Sequence, residues 1–262
     1  MRIETQYLVM GFLSLLGLGM PLPAVQAESS ITVSAAASLR DALTEIGERF
    51  QQTTQTVVKF NFAASGQLLA QIQAGGNVDV FISASRKEIN TLVDAKLVQP
   101  GEIIVIAGNA LVLIAPASSQ LSEGFDVLTE ESVKKIAIGQ PASVPAGAYA
   151  MQALDHLKLS ASIKQKLVYG SNVRQVLDYL VREEVDAGVV YRTDALSAGH
   201  KVRILATADE KLHDRIEYPA VVISRSTEPA LAKDFVQYLT GSEAQKILQE
   251  KGFAGPTTKP SS

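Results

Sequence analysis

Ser38, Ser65, Ala146, Val173 and Tyr191 carry the chemistry that this sequence offers first, and it is the chemistry of donating hydrogen bonds to an anion. Ser38 ends the run Ile-Thr-Val-Ser-Ala-Ala-Ala-Ser, which reads as a buried strand over residues 31–35. Leu39, Ala42, Leu43, Ile46 and Phe50 then recur at helical spacing, so the strand hands over to a helix at Ser38. A serine there can cap the helix with its hydroxyl, while the first backbone N–H groups point outward, unpaired, at the positive end of the helix dipole. One such helix start usually serves no ligand, but here the pattern returns. Ala63-Ala64-Ser65-Gly66-Gln67 opens a helix after a strand at 56–62. Val144-Pro145-Ala146-Gly147 opens another, with proline in the first turn, where a missing N–H costs nothing, and with little side chain to cover the backbone. Ser171-Asn172 caps a further helix that begins at Val173. Tyr191 stands at the carboxyl end of the run 185–191, where open α/β sheets place ligands, and offers a phenolic O–H.

The elements that must position these residues alternate strand and helix. Strands at 31–35, 56–62, 78–83 and 103–107, interleaved with helices, make one α/β lobe. The apolar run 110–115, which follows Gly108-Asn109 and ends at Pro116, reads as a crossing into a second lobe with strands at 135–139, 168–170, 185–191 and 202–206. Residues 218–224 contain Pro219 and read as the return crossing or an edge strand. Amphipathic helices at 230–239 and 244–248 finish the chain before a Pro/Thr/Ser tail, and no internal repeat is visible. The expected division is a discontinuous first lobe, 28–108 with 218–262, and a second lobe, 109–217, with hinges near 107–115 and 217–224. Asp79 reads as a structural partner at the start of a strand rather than as a catalytic carboxylate.

Composition narrows the function. At 262 residues, 47% of them hydrophobic and 19% charged, the chain can bury real cores in one large domain or two smaller ones. A net charge of −3 leaves no basic surplus for nucleic acid. The absence of cysteine excludes disulfides, thiol catalysis, zinc–thiolate sites and a lipidated N-terminal cysteine. His156, His200 and His213 are scattered, without His-x-x-x-His or His-x-x-Glu spacing, so they read as ordinary histidines rather than metal ligands. Arg2, an apolar stretch at 8–20 and the small residues of Val25-Gln26-Ala27 read as an export signal. The stretch is shorter than the roughly 20 residues a spanning helix needs, so residues 1–27 are expected to be cleaved and the mature protein to be soluble in the periplasm.

Strand–Ala-Ala-Ser, strand–Ala-Ala-Ser-Gly, Val-Pro-Ala-Gly-x-Tyr-Ala, Asn-Val-Arg and Gly-Val-Val-Tyr, in this order, resemble the periplasmic molybdate-binding proteins of ABC transporters. The resemblance spans roughly residues 31–255 and includes Tyr218-Pro219 and Gly252-Phe253. It implies a two-lobed α/β binding protein of type II periplasmic topology, a monomer without catalysis or cofactor. Molybdate or tungstate would be held between the lobes and delivered to a membrane permease. It further implies that Ser38 and Ser65 provide hydroxyl and backbone N–H donors, Ala146 and Val173 backbone N–H donors, and Tyr191 its hydroxyl, with molybdenum met only as the oxyanion. The sequence departs from the family at Ser65-Gly66-Gln67, where relatives often carry a richer serine run.

Other readings compete. The same donor set suits sulfate, thiosulfate or phosphate, whereas a ferric-ion binder would want clustered tyrosines and acids, and only Tyr191 is well placed. A secreted serine hydrolase using Ser38 or Ser65 lacks a Gly-x-Ser-x-Gly elbow. Its one Ser-x-x-Lys match, Ser132-Val133-Lys134-Lys135, lies on a polar stretch before a strand. Arg174, beside Val173, reads more readily as an exposed helix residue or an interlobe ion pair than as a group tuning the site.

Overall fold

Residues 29–256 are described by the computed structural model; the expected signal segment 1–27 and the end of the tail, 257–262, lie outside them. The first seven elements are β1 (Ser30–Ala36), α1 (Arg40–Thr54), β2 (Val57–Ala63), α2 (Ser65–Gln73), β3 (Val80–Ile82), α3 (Arg86–Asp94) and β4 (Ile104–Gly108). Next come β5 (Leu111–Pro116), β6 (Ile136–Gly139), α4 (Pro145–His156), α5 (Ser160–Ile163), β7 (Leu167–Gly170), α6 (Val173–Val181), β8 (Ala187–Tyr191), α7 (Arg192–Ala198) and β9 (Val202–Thr207). The chain then returns through β10 (Glu217–Val222) to α8 (Pro229–Tyr238) and α9 (Ser242–Glu250).

Two five-stranded sheets result, ordered β2-β1-β3-β10-β4 and β7-β6-β8-β5-β9. Each holds a parallel trio, β2-β1-β3 or β7-β6-β8, followed by one antiparallel strand that has crossed from the other sheet. The repeat absent from the sequence is therefore present in the topology. Helices cover both faces of the inner strands, so β3, β5, β6, β8 and β10 are buried along their whole length, and all but β10, which opens on Glu217, read as unbroken apolar runs. One hydrophobic cluster runs through both sheets and their helices. Phe50 of α1 meets Phe235 of α8 edge-on at 5.1 Å, which holds the C-terminal helices to the first sheet.

Two expectations are corrected. Residues 218–224 do not form an edge strand: β10 lies inside the first sheet, hydrogen-bonded to β3 and β4. Pro219 is tolerated there because the register shifts between Tyr218 and Pro219, a bulge that frees the position from donating. The first crossing is also narrower than the stretch read as a hinge, and the return precedes the stretch 217–224, which is β10 itself. Only Asn109 and Ala110 separate β4 from β5, and the return runs through 208–216. The C-terminal segment adds a bridge at the first crossing, where Gly108 and Ala254 exchange backbone hydrogen bonds of 2.9 and 3.0 Å.

Asp79 has the structural role expected of it. Buried at the start of β3, its carboxylate accepts the Thr32 N–H of β1 at 2.8 Å and the Ser226 hydroxyl beyond β10 at 2.6 Å. Asp79→Ala leaves both groups without that acceptor and is expected to cost on the order of 3 kcal/mol, read as a lower urea midpoint; an unchanged midpoint contradicts this role.

Candidate anion-binding site between the two sheets

The carboxyl ends of the two parallel trios face each other. Around one small cavity stand Ser38 after β1, Ser65 after β2 and Ala84 after β3, opposed by Ala146 after β6, Val173 after β7 and Tyr191 at the end of β8. All five residues singled out in the sequence therefore meet at one place, each at most 4% exposed. Ala84 is an addition: it lines the cavity, and an alanine after a short strand carries no signal in the sequence. The cavity measures about 10 Å³, room for about one water molecule.

Local structure explains the donors. Ser65 and Val173 are the first residues of α2 and α6, and Ala146 is the second of α4, so their N–H groups precede the intrahelical ladder. Pro145 occupies the first helical position as expected. Asn172 caps α6, its side chain accepting from the Gln175 N–H at 3.0 Å while Gln175 reaches back to the Ser171 N–H at 2.6 Å. The serines do not cap. β1 passes through a 3-10 turn, Ala37–Leu39, before α1 begins at Arg40, and α2 is preceded by Ala64. Ser38 Oγ lies 3.0 Å from the Tyr218 hydroxyl, and Ser65 Oγ accepts the Ala84 N–H at 3.0 Å, which leaves the Ser65 proton free to donate. The Tyr191 hydroxyl is buried without a partner. Burial pushes its pKa well above the usual phenol range, so it keeps its proton.

Charge is present nearby and already neutralised. Arg174 bridges the lobes: its Nη2 lies 2.8 Å from Asp41 of α1, and its Nε pairs at 2.7 Å with buried Asp194 of α7. The second contact is an ion pair rather than an aligned hydrogen bond. Burial pushes the Asp194 carboxyl up to about 6, with Arg174 pulling the other way. Two carboxylates thus occupy the guanidinium, which realises the interlobe pairing read for Arg174 and leaves the cavity to neutral donors. Across the cleft, the Gly66 N–H donates to Ser143 O at 3.0 Å and the Tyr149 hydroxyl to Ala84 O at 3.3 Å. Among the described residues, no cluster of His, Asp and Glu could hold a metal ion.

The model of one family, bacterial extracellular solute-binding proteins, matches residues 31–254. The chain belongs to that family. Among curated relatives of this solute-binding protein, the molybdate-binding protein ModA of Escherichia coli (strain K12) is 37% identical over 231 residues, 86% of this chain and 89% of the relative. ModA of Haemophilus influenzae is 35% identical over 87% of this chain and 91% of its own. Among solved structures, the periplasmic molybdate-binding protein of Azotobacter vinelandii superposes with a TM-score of 0.79 at 24% identity, covering 87% of this chain and all of the other. The sulfate-binding protein SubI of Mycobacterium tuberculosis reaches 0.78 at 19%, covering 87% of each chain. At such identities the structural likeness carries the two-lobed fold and leaves the ligand open.

A solute-binding protein of this geometry depends on a close approach at Gly66. A Cβ there would lie 2.7 Å from the Ser143 carbonyl oxygen, backbone that cannot turn aside. Gly66→Ala favours helix α2 by about 1 kcal/mol but obstructs closure. Ligand affinity is expected to fall about tenfold while the thermal midpoint of the free protein holds or rises, and equal affinity in calorimetry contradicts the closure argument.

Proposed function

We propose that this chain binds molybdate or tungstate between its lobes in the periplasm and hands the oxyanion to the membrane permease of an ABC transporter. The observation that carries the proposal is the convergence of neutral donors from both lobes on one buried cavity, among them a tyrosine hydroxyl with no partner. A tetrahedral dianion has acceptors on every side and suits a set made of hydroxyls and helix N-terminal N–H groups. Ser38, Ser65 and Tyr191 are assigned hydroxyl donation, and Ser38, Ser65, Ala146 and Val173 backbone donation. Preference for the larger oxyanions, and with it the size of the closed site, rests on kinship with relatives named for molybdate.

In this reading, residues 28–108 with 218–262 move as one lobe and 109–217 as the other, turning about Asn109-Ala110 and the return segment. No cofactor takes part, the protein acts as a monomer, and it turns nothing over; a chromogenic ester left intact fits this, and turnover would favour the hydrolase. Among the described residues, no helix is long and apolar enough to cross a membrane. Residues 1–27 are assigned the role of cleaved export signal.

Sulfate is the second reading, favoured by the fold it shares with a sulfate-binding protein. Calorimetric titration against a panel of oxyanions separates the two. Molybdate and tungstate are expected to bind at least about a hundredfold more tightly than sulfate, since two or three charge-assisted bonds stretched by a smaller anion forfeit roughly 1.5 kcal/mol each. Sulfate displacing molybdate at comparable concentration overturns the molybdate reading. Ser38→Ala and Tyr191→Phe are each expected to lose about 1.5 to 3 kcal/mol of molybdate affinity with the fold intact; parental titrations from both would overturn the site assignment.

A further inference from the structure

We propose that Asn109 and Tyr218, behind the cavity wall, fix the direction of the Ser38 hydroxyl so that it donates to a ligand, and that this makes the site favour oxyanions that carry no proton. The proposal rests on the oxyanion reading above and deepens it.

The chain of hydrogen bonds starts at the first crossing. The Ala110 N–H donates to Asn109 Oδ1 at 2.9 Å, which orients the amide: turned over, its NH₂ would face another N–H. Asn109 Nδ2 therefore points to the Tyr218 hydroxyl at 3.0 Å and to Thr193 Oγ1 at 2.9 Å. Tyr218 is fully buried on β10, and burial raises its pKa so that the phenol keeps its proton. Because its oxygen accepts from Asn109, that proton has Ser38 Oγ, 3.0 Å away, as its acceptor. Ser38 is 2% exposed, and its own proton then has the cavity as its outlet.

A fully deprotonated oxyanion meets this O–H with an acceptor. A protonated one brings an O–H that needs an acceptor, and Ser38 is badly placed to be one. With one lone pair taken by the Tyr218 proton, Ser38 turns its own proton and a single remaining lone pair to the cavity, so a bare ligand oxygen takes the proton while a ligand O–H has only that one lone pair to use. Specificity for protonation state thus originates two residues behind Ser38, at the amide of the first crossing. Asn109 and Tyr218 are positioning residues acting through Ser38.

The test uses selenate and arsenate, tetrahedral anions of near-equal size, displacing molybdate at a pH where arsenate is the singly protonated dianion, so both probes carry the same charge. Parent protein is expected to bind selenate more tightly than arsenate. Asn109→Asp is nearly isosteric and turns the chain round: the carboxylate accepts from Tyr218, Tyr218 from Ser38, and Ser38 shows lone pairs to the cavity. The selenate-to-arsenate affinity ratio is expected to fall about tenfold, while the added charge weakens both anions alike. In a Ser38→Ala background the same substitution should leave the ratio unchanged, which a merely structural role would not produce. Tyr218→Phe keeps the ring packing, removes the steering proton and should move the ratio the same way, answering the question if Asn109→Asp does not fold. Parent protein that binds both anions equally, or a ratio that Asn109→Asp and Tyr218→Phe do not move, overturns the proposal. Failure of the parent to bind molybdate at all would instead sink the ligand reading.

Discussion

Buried hydrogen-bond donors that can be satisfied only from the space between two lobes are the constraint on which the rest of this structure depends. The Tyr191 hydroxyl is the plainest case, fully enclosed and without a partner. A polar group left so costs on the order of 1 to 3 kcal/mol, so the closed arrangement carries a penalty that a bound acceptor removes. On the proposed function, closure and binding are one equilibrium, because a ligand favours a closed form by as much as its contacts there exceed those in an open one. The interlobe contacts of the protein itself include a backbone bond at Gly66, the Tyr149 hydroxyl on Ala84 O and a half-exposed ion pair at Arg174 and Asp41, the last of a kind that contributes little to stability.

The topology explains why the donors converge. Each sheet contributes the carboxyl ends of its three parallel strands, and each receives one antiparallel strand from across the hinge. The exchange of β5 and β10 lets groups at the first crossing and on β10 reach Ser38 at the cavity. Asn109 sits in the first crossing and Tyr218 on the strand that follows the second, and they meet each other and Ser38. Chain connectivity and site chemistry share residues at that point.

Much of this was legible in the sequence. The strand-to-helix transitions at residues 63–65, 144–146 and 171–173, and Tyr191 at a strand end, follow from hydrophobic period and cap chemistry, which are local properties. What stayed hidden is non-local. Ser38 looked like a helix cap because serine before a helical run commonly is one, but its partner is a tyrosine 180 residues away. Tyr218-Pro219 looked like an edge because proline cannot donate to a ladder, and only the bulge in register reconciles it with an inner strand. Asn109 read as part of a crossing, and no spacing rule shows which way its amide faces. The pseudo-repeat of the two sheets escaped because strand order follows from pairing, and pairing leaves no mark on residue period.

The central claim is that the ligand sits between the lobes and closes them. Small-angle X-ray scattering of the mature protein, with and without saturating molybdate, tests it most directly. The account predicts a smaller radius of gyration when the oxyanion is bound; tight binding measured on the same sample with no change in radius would contradict it.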